Sequence, residues 1–236
     1  MKLKWFALSL LWLSSAALAQ DGIQLMDKNV FYMLDVEELE LTTFGDSHDY
    51  AWDADFWAGT DLNRLWIKTK GEAAAGGNDH SELQILYSRA IAPFWNLQAG
   101  VRHEFEPKPE QNAAVLAVEG LAPYGFEVEA ELLFADGGPT TLRLRTNYEL
   151  LLTQRLILTP EAELTAYSGS DALRGTGSGL GRIEIGLRLR YEYRREFAPY
   201  IGLYWVRLHG ETGDLAVLGG HNADDLELVA GLRFWY

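Results

Sequence analysis

The sequence predicts an all-β fold, a transmembrane antiparallel β-barrel of about 12 strands, with about 10 or about 14 strands as alternatives. Apolar and polar residues alternate along most of the chain, as they do in strands with two different faces. Hydrophobic residues make up 48% of the 236 residues, yet the mean hydropathy is only -0.11, so apolar side chains must be interleaved with polar ones. Long and short connections also alternate, as in outer-membrane barrels.

The N-terminus predicts export from the cytoplasm. Lys2 and Lys4 precede an apolar stretch at residues 5–13, and Ala17 and Ala19 provide a small-x-small cleavage site. We therefore expect a cleaved signal peptide at residues 1–19, a short periplasmic segment at residues 20–29 and the barrel at residues 30–236. An uncleaved anchor is the alternative, but it would need about 20 apolar residues. The destination is the periplasm, the outer membrane or the exterior, and within this set a barrel belongs in the outer membrane.

Twelve segments of the chain have the alternation or length of a membrane-crossing strand. In chain order they are residues 30–44, 49–58, 62–70, 81–90, 94–105, 113–120, 124–134, 140–151, 155–167, 181–194, 199–208 and 225–236. Most are close to the roughly 9–11 residues with which a tilted strand crosses a bilayer. The fourth and sixth alternate least clearly, which is why the strand number is left open.

The seventh segment shows the pattern best. Its apolar face is aromatic at both ends, at Tyr124 and Phe134, and aliphatic around Ala130. This order fits a strand that meets two headgroup belts and one hydrocarbon layer. The same alternation recurs in residues 140–151, 181–194 and 225–236, where the polar face carries both charge signs.

The connections are consistent with one orientation. If residue 30 starts at the periplasmic side, the outside loops are residues 45–48, 71–80, 106–112, 135–139, 168–180 and 209–224. The intervening turns are mostly shorter, as the barrel requires. A soluble β-sandwich is the competing interpretation, but it offers no environment for a face lined with Glu and Arg, whereas a barrel lumen would be wet or salt-bridged.

Several motifs resemble the copper resistance protein B family. They are the stretches YELLLTQRLIL at residues 148–158, GTGSGL at 175–180, EIGLRLRYEYRREFAPY at 184–200, VAGLRFWY at 229–236 and NRLWIKT at 63–69. The resemblance runs from about residue 27 to the C-terminus. It implies an outer-membrane barrel of Gram-negative bacteria that acts in copper resistance and homeostasis, with copper ions, outer-membrane lipid and possible periplasmic copper-resistance proteins as partners.

The sequence departs from this family in one respect. Members often carry a Met- and His-rich segment before the barrel, but between residues 20 and 30 this sequence has one methionine, Met26, and no histidine. Soft Cu(I) is best held by several sulfur ligands, and Met26 and Met33 alone cannot build such a cage. We therefore keep two functions open: a barrel that binds or passes copper ions, not tightly held, and a porin-like or structural barrel without a copper role.

Metal ligands would have to come from His and carboxylate side chains, because the chain has no cysteine. Imidazole with carboxylate suits Cu(II) or Zn(II). The candidates lie in predicted outside loops beside acidic residues, and the two methionines complete the set: His48, His80, His209, His221, Asp79, Met26 and Met33. Solvated loop residues are the alternative interpretation of the same pattern.

The polar strand faces predict a charged lumen. Its acidic candidates are Glu127, Glu129, Glu131, Glu161 and Glu163, and its basic candidates are Arg143, Arg145, Arg188 and Arg190. The acids could form a wall that attracts cations. Alternatively, and with more support from the opposed charges, Glu and Arg pair across strands and plug the lumen.

Other functions are disfavoured. The net charge of -14 is the opposite of what a nucleic-acid partner requires. We expect no enzyme, because the chain has no Ser and His at matching spacing on a strand and no G-x-S-x-G, phosphate-loop or H-E-x-x-H motif. The terminal aromatic residue, Tyr236, is predicted to be the signal that the barrel-insertion machinery reads, an expectation taken from resemblance to outer-membrane proteins.

Overall fold

The computed structural model describes residues 29–44, 47–73 and 80–236. The predicted signal peptide and residues 20–28 lie outside these ranges and stay predictions. Side chains of residues 43–49 are not described either.

Twelve antiparallel strands close into a ring, as the alternation predicts. In chain order the described residues form thirteen strands, twelve of them in the ring: β1 (Phe31–Phe44), β2 (Ser47–Gly59), β3 (Asn63–Ala73), β4 (His80–Ala92), β5 (Trp95–Glu106), β6 (Gln111–Leu121), β7 (Phe126–Ala135), β8 (Thr140–Tyr148), β9 (Leu150–Leu151), β10 (Leu156–Tyr167), β11 (Gly179–Tyr191), β12 (Phe197–Leu208) and β13 (Asp224–Trp235). The short β9 pairs only with β10 and lies outside the ring. Pairing of β13 with β1 closes the barrel.

Predicted strand boundaries differ from the observed ones by up to three residues, and two of these differences involve a late start or an interruption. Tyr124 does not begin a strand: it lies in a one-turn 3-10 helix (Pro123–Gly125) with φ of 70° and is 90% exposed. Pro123 has no N–H to donate to a strand ladder, which favours a turn at this point. The predicted strand 140–151 is interrupted at Glu149, so that Leu150 and Leu151 form the separate β9.

One helix interrupts the longest predicted loop. Helix α1 (Gly210–Leu218) occupies a segment whose two glycines, Gly210 and Gly213, disfavour a helix. Tertiary contacts offset this propensity, because Thr212 and Gly213 are buried and the Thr212 hydroxyl accepts a hydrogen bond of 2.9 Å from the Gly177 N–H. No helix within the described ranges is long and apolar enough to cross a membrane.

The two faces of the sheet have opposite chemistry. Outward side chains in the middle of the strands are aliphatic and exposed to the surroundings, among them Ile67, Ile85, Leu116, Leu187 and Leu203. Inward side chains are mostly polar or charged, but an apolar wall is formed by β3 and β4 on one side of β5 and by β6 and β7 on the other. That wall consists of Leu86, Ala113, Val115, Ala117 and Leu133, with Trp66 packed against it. The apolar exterior and charged interior are those of a membrane barrel.

Candidate functional site

The lumen is crossed by charged side chains that reach from one wall to the other. Arg145 on β8 contacts Asp53 on β2, halfway round the ring, with 3.1 Å between Nη1 and Oδ2. Its Nε lies 2.7 Å from Glu161 Oε1, and its Nη2 lies 3.5 Å and 3.6 Å from carboxylate oxygens of Glu37 and Glu38. The guanidinium group of this residue therefore links β8 to β1, β2 and β10.

Two lysines on β3 make further bridges. Lys70 Nζ lies 3.2 Å from Glu163 Oε2 on β10, again halfway round the ring. Lys68 Nζ lies 2.6 Å from Glu129 Oε1 on β7 and 3.4 Å from Glu119 Oε2 on β6. These contacts cross the middle of the lumen between different walls of the ring.

Toward the outside end, a second group of ion pairs forms beneath the 168–178 loop. Arg102 contacts Glu82 at 3.0 Å and Glu104 at 2.9 Å, and Arg143 contacts Glu82 at 3.0 Å and Glu131 at 3.3 Å. The loop between β10 and β11 folds inward over this group.

Arg174 holds that loop over part of the outside opening. Its Nη2 lies 2.5 Å from Glu104 Oε2, and its Nη1 donates to the backbone oxygen of Pro107 at 3.1 Å. The side chain is only 7% exposed. Part of the outside opening is therefore covered by the protein's own loop.

The rest of the outside opening leads into a cavity of about 410 Å³, here called the outer cavity. Its walls include Arg182, Arg188 and His221 together with six carboxylates: Glu38, Glu40, Glu72, Asp224, Asp225 and Glu227. Acids therefore outnumber bases in the lining of the outer cavity.

A smaller cavity of about 40 Å³, the inner cavity, lies on the periplasmic side of the ion pairs. Its lining includes Glu127 and Glu149, and the partial exposure of Glu149, at 39%, shows that this end faces solvent. The remaining charged lining residues are Glu37, Glu38, Glu161, Arg145, Arg188, Arg190 and Arg233.

The predicted lumen residues all project inward or line a cavity, but their partners were mostly unpredicted. Arg190 pairs with Glu149 at 2.7 Å rather than with any predicted acid. Eight further inward residues were not predicted from the sequence: Glu38, Glu40, Asp53, Lys68, Lys70, Glu82, Arg102 and Arg174. Alternation of Glu38 and Glu40 with the exposed Leu39 and Leu41 was the available signal for the first two.

The predicted metal ligands that the structure describes, His80, His209, His221 and Met33, are not brought together. His80 opens β4 and lies 3.2 Å from Glu82 Oε2 and 3.3 Å from Glu104 Oε1, whereas His209 precedes α1 and His221 lines the outer cavity. Met33 lies near the opposite end of β1, on the order of 30 Å along the strand from Thr43, which pairs with His48.

Three of these candidates fall where the structure gives no side-chain description: Met26, the side chain of His48, and Asp79. Within the described ranges no group of three or more His, Cys, Asp or Glu residues converges closely enough to hold a metal ion.

Comparison with known proteins places this barrel in a family. The family model for copper resistance protein B precursor matches residues 30–236. The chain belongs to the copper resistance protein B family. It is 40% identical over 215 residues to copper resistance protein B of Escherichia coli, covering 91% of this chain and 73% of that protein. It is 38% identical over 218 residues to a copper resistance protein B homolog of Pseudomonas syringae pv. tomato, covering 92% and 74%.

Among solved structures, the NanC porin has the same fold. It superposes with a TM-score of 0.59 at 11% identity and covers 85% of this chain and 98% of the porin. This copper resistance protein B family member is therefore an outer-membrane β-barrel, which confirms the localisation that the sequence predicts.

Proposed function

We propose that this barrel contributes to copper resistance by attracting Cu(II) into the outer cavity and passing it, loosely held, along the lumen. The observation that carries the proposal is the lining of the outer cavity, where one imidazole and six carboxylates face two guanidinium groups. Imidazole and carboxylate oxygen are suitable Cu(II) ligands.

The spacing of these ligands supports weak binding. Because no three candidate ligands converge in the described part of the chain, an ion in the outer cavity keeps part of its hydration shell. Passage requires such binding, since an ion must enter a site readily and also leave it. Copper is then the cargo of the barrel, and no catalytic step is assigned to it.

The names of the relatives support the copper role. Both curated relatives are copper resistance proteins B, and they match over most of their length. Periplasmic copper-resistance proteins would be the natural acceptors of an ion that leaves the inner cavity.

Copper binding to the refolded protein tests the proposal. We expect Cu(II) to quench tryptophan fluorescence in a saturable way, and His221→Ala to weaken this binding severalfold. His103→Ala is the matched control, because His103 lies away from the outer cavity, 2.8 Å from Asn112 Oδ1. The same variants should be compared for copper tolerance in a strain that lacks the protein.

Equal binding by wild type and His221→Ala would contradict the assigned site. No Cu(II) binding, together with unchanged copper tolerance on deletion, would contradict the copper role. That result would leave the alternative, a porin-like or structural barrel, which the lack of converging ligands within the described residues favours.

A further inference from the structure

We infer that Arg188 is the residue that separates the outer cavity from the inner cavity and determines whether, and which, ions cross the lumen. This inference deepens the proposed function, because it rests on passage of ions through the barrel. It concerns any small ion and does not depend on copper.

The position of Arg188 between the cavities carries the inference. The linings of the outer and inner cavities have only two residues in common, Glu38 and Arg188. These two residues contact each other, with 2.9 Å between Glu38 Oε1 and Arg188 Nη2. The wall between the cavities is therefore an ion pair rather than packed backbone.

The contacts of Arg188 hold its guanidinium across the path. Nε lies 2.7 Å from Glu40 Oε1 and Nη1 lies 2.6 Å from Glu161 Oε2, so all three guanidinium nitrogens contact a carboxylate. Because Glu40 is on β1, Arg188 on β11 reaches past β12 and β13 to make this contact. The side chain is 10% exposed.

The backbone beside Arg188 leaves space for this crossing. A Cβ added at Gly186 would lie 3.1 Å from Arg188 Nη1, and one added at Gly202 would lie 3.1 Å from Arg188 Cγ. Both distances are tighter than ordinary van der Waals contact. The absence of side chains at these two positions lets the arginine extend along the wall, while the Tyr204 ring lies 5.7 Å from its guanidinium carbon.

Removal of Arg188 has two physical consequences. The space that the guanidinium fills would connect the outer and inner cavities. The carboxylates that Arg188 contacts, Glu38, Glu40 and Glu161, would lose one positive partner, while Arg145 would still contact Glu38 and Glu161. Less positive charge would then repel cations from the constriction. Conductance and cation selectivity should therefore rise together.

Conductance of single barrels in planar bilayers bathed in KCl tests the inference. For Arg188→Ala we expect a severalfold higher conductance than wild type and a reversal potential, in a KCl gradient, shifted toward that of potassium. Arg188→Gln keeps most of the side-chain volume, so it should shift the reversal potential with a smaller rise in conductance.

Two arginine variants provide comparisons. Arg190→Ala removes the same charge two residues along the same strand, but Arg190 lines only the inner cavity, so its conductance should rise much less than that of Arg188→Ala. Arg207→Ala alters a side chain that is 52% exposed and lines neither cavity, and it should behave as wild type.

The experiment distinguishes failure of this inference from failure of the proposed function. Barrels of Arg188→Ala that migrate as folded protein but conduct no better than Arg190→Ala would overturn the role of Arg188, whatever the copper result. If Arg188→Ala does not fold, an Arg188→Gln variant with the reversal potential of wild type overturns it equally. If Arg188→Ala conducts better than wild type but the protein binds no copper, this inference stands and the copper role is contradicted.

Discussion

The lumen of this barrel is stabilised by guanidinium groups that each contact several carboxylates. Arg145 contacts four carboxylates and Arg188 contacts three, and the two arginines share Glu38 and Glu161. Removal of water from such charges is costly, and the loss of one partner leaves the others unpaired. Each arginine is therefore more important to stability than an arginine on the surface.

The first prediction concerns Arg145. Arg145→Ala leaves Glu37, Glu38, Asp53 and Glu161 without their shared cation, and it should lower the free energy of unfolding by about 3–5 kcal/mol. Urea unfolding in detergent micelles, followed by tryptophan fluorescence, measures this change.

An exposed pair provides the matched control for Arg145. Arg207 Nε lies 3.9 Å from Asp224 Oδ2 with both side chains more than half exposed, so Arg207→Ala should cost at most about 1 kcal/mol. Similar losses for Arg145→Ala and Arg207→Ala would show that the cross-lumen contacts do not stabilise the barrel.

At the scale of the elements, strands and outside loops follow different rules. Strand positions follow the alternation, because one face meets lipid and the other meets the lumen. Helix α1 and the 168–178 loop are instead fixed by contacts with each other. Glu211 accepts hydrogen bonds from the Ser170 hydroxyl and, at 3.2 Å, from the Ser178 N–H, and Thr212 contacts Gly177.

The second prediction concerns Glu211. Hydrogen bonds from the Ser170 hydroxyl and the Ser178 N–H hold the pKa of Glu211 below its ordinary value of 4.5. A lowered folded pKa means that these contacts stabilise the loop above the ordinary value and lose their effect as pH falls through the folded pKa. The amide NMR signal of Ser178 should therefore titrate with a midpoint below 4.5.

Glu211→Gln is the control for this titration, because it removes the ionisable group and should abolish the shift of the Ser178 amide. A midpoint at or above 4.5 in the wild-type protein would show that Glu211 is not held by the loop in solution.

At the scale of the whole molecule, the barrel is closed by one seam, the pairing of its first strand β1 with its last strand β13. The N–H of Tyr236 donates to the Leu34 carbonyl and the N–H of Leu34 donates to the Tyr236 carbonyl, both at 2.8 Å. The last residue of the chain therefore extends the β1–β13 pairing, and its side chain is 80% exposed.

The third prediction is that deletion of Tyr236 slows assembly. It removes two hydrogen bonds from the seam and the terminal aromatic side chain that we propose the insertion machinery reads. The fraction of protein that migrates as a compact form in unheated detergent gels should fall. Tyr236→Phe keeps both the backbone contacts and an aromatic ring and should assemble like wild type; equal assembly of the deletion would contradict the proposed signal.

The sequence by itself determined the barrel, the approximate strand limits and the two faces of the strands with the clearest alternation. These follow from local alternation, because a strand places successive side chains on opposite faces and the face toward lipid must be apolar. Glu131, Glu163, Arg143 and Arg188 were identified as lumen residues for this reason.

Only the tertiary structure decided which charges meet. Asp53 and Arg145 are 92 residues apart in the chain, and Lys70 and Glu163 are 93 apart, so no local pattern could pair them. Ring closure places these strands opposite one another, and the reach of each long side chain then selects its partners. The contact of Arg188 with β1 and the inward fold of Arg174 depend on that closure, whereas the helix at residues 210–218 depends on its contacts with the 168–178 loop.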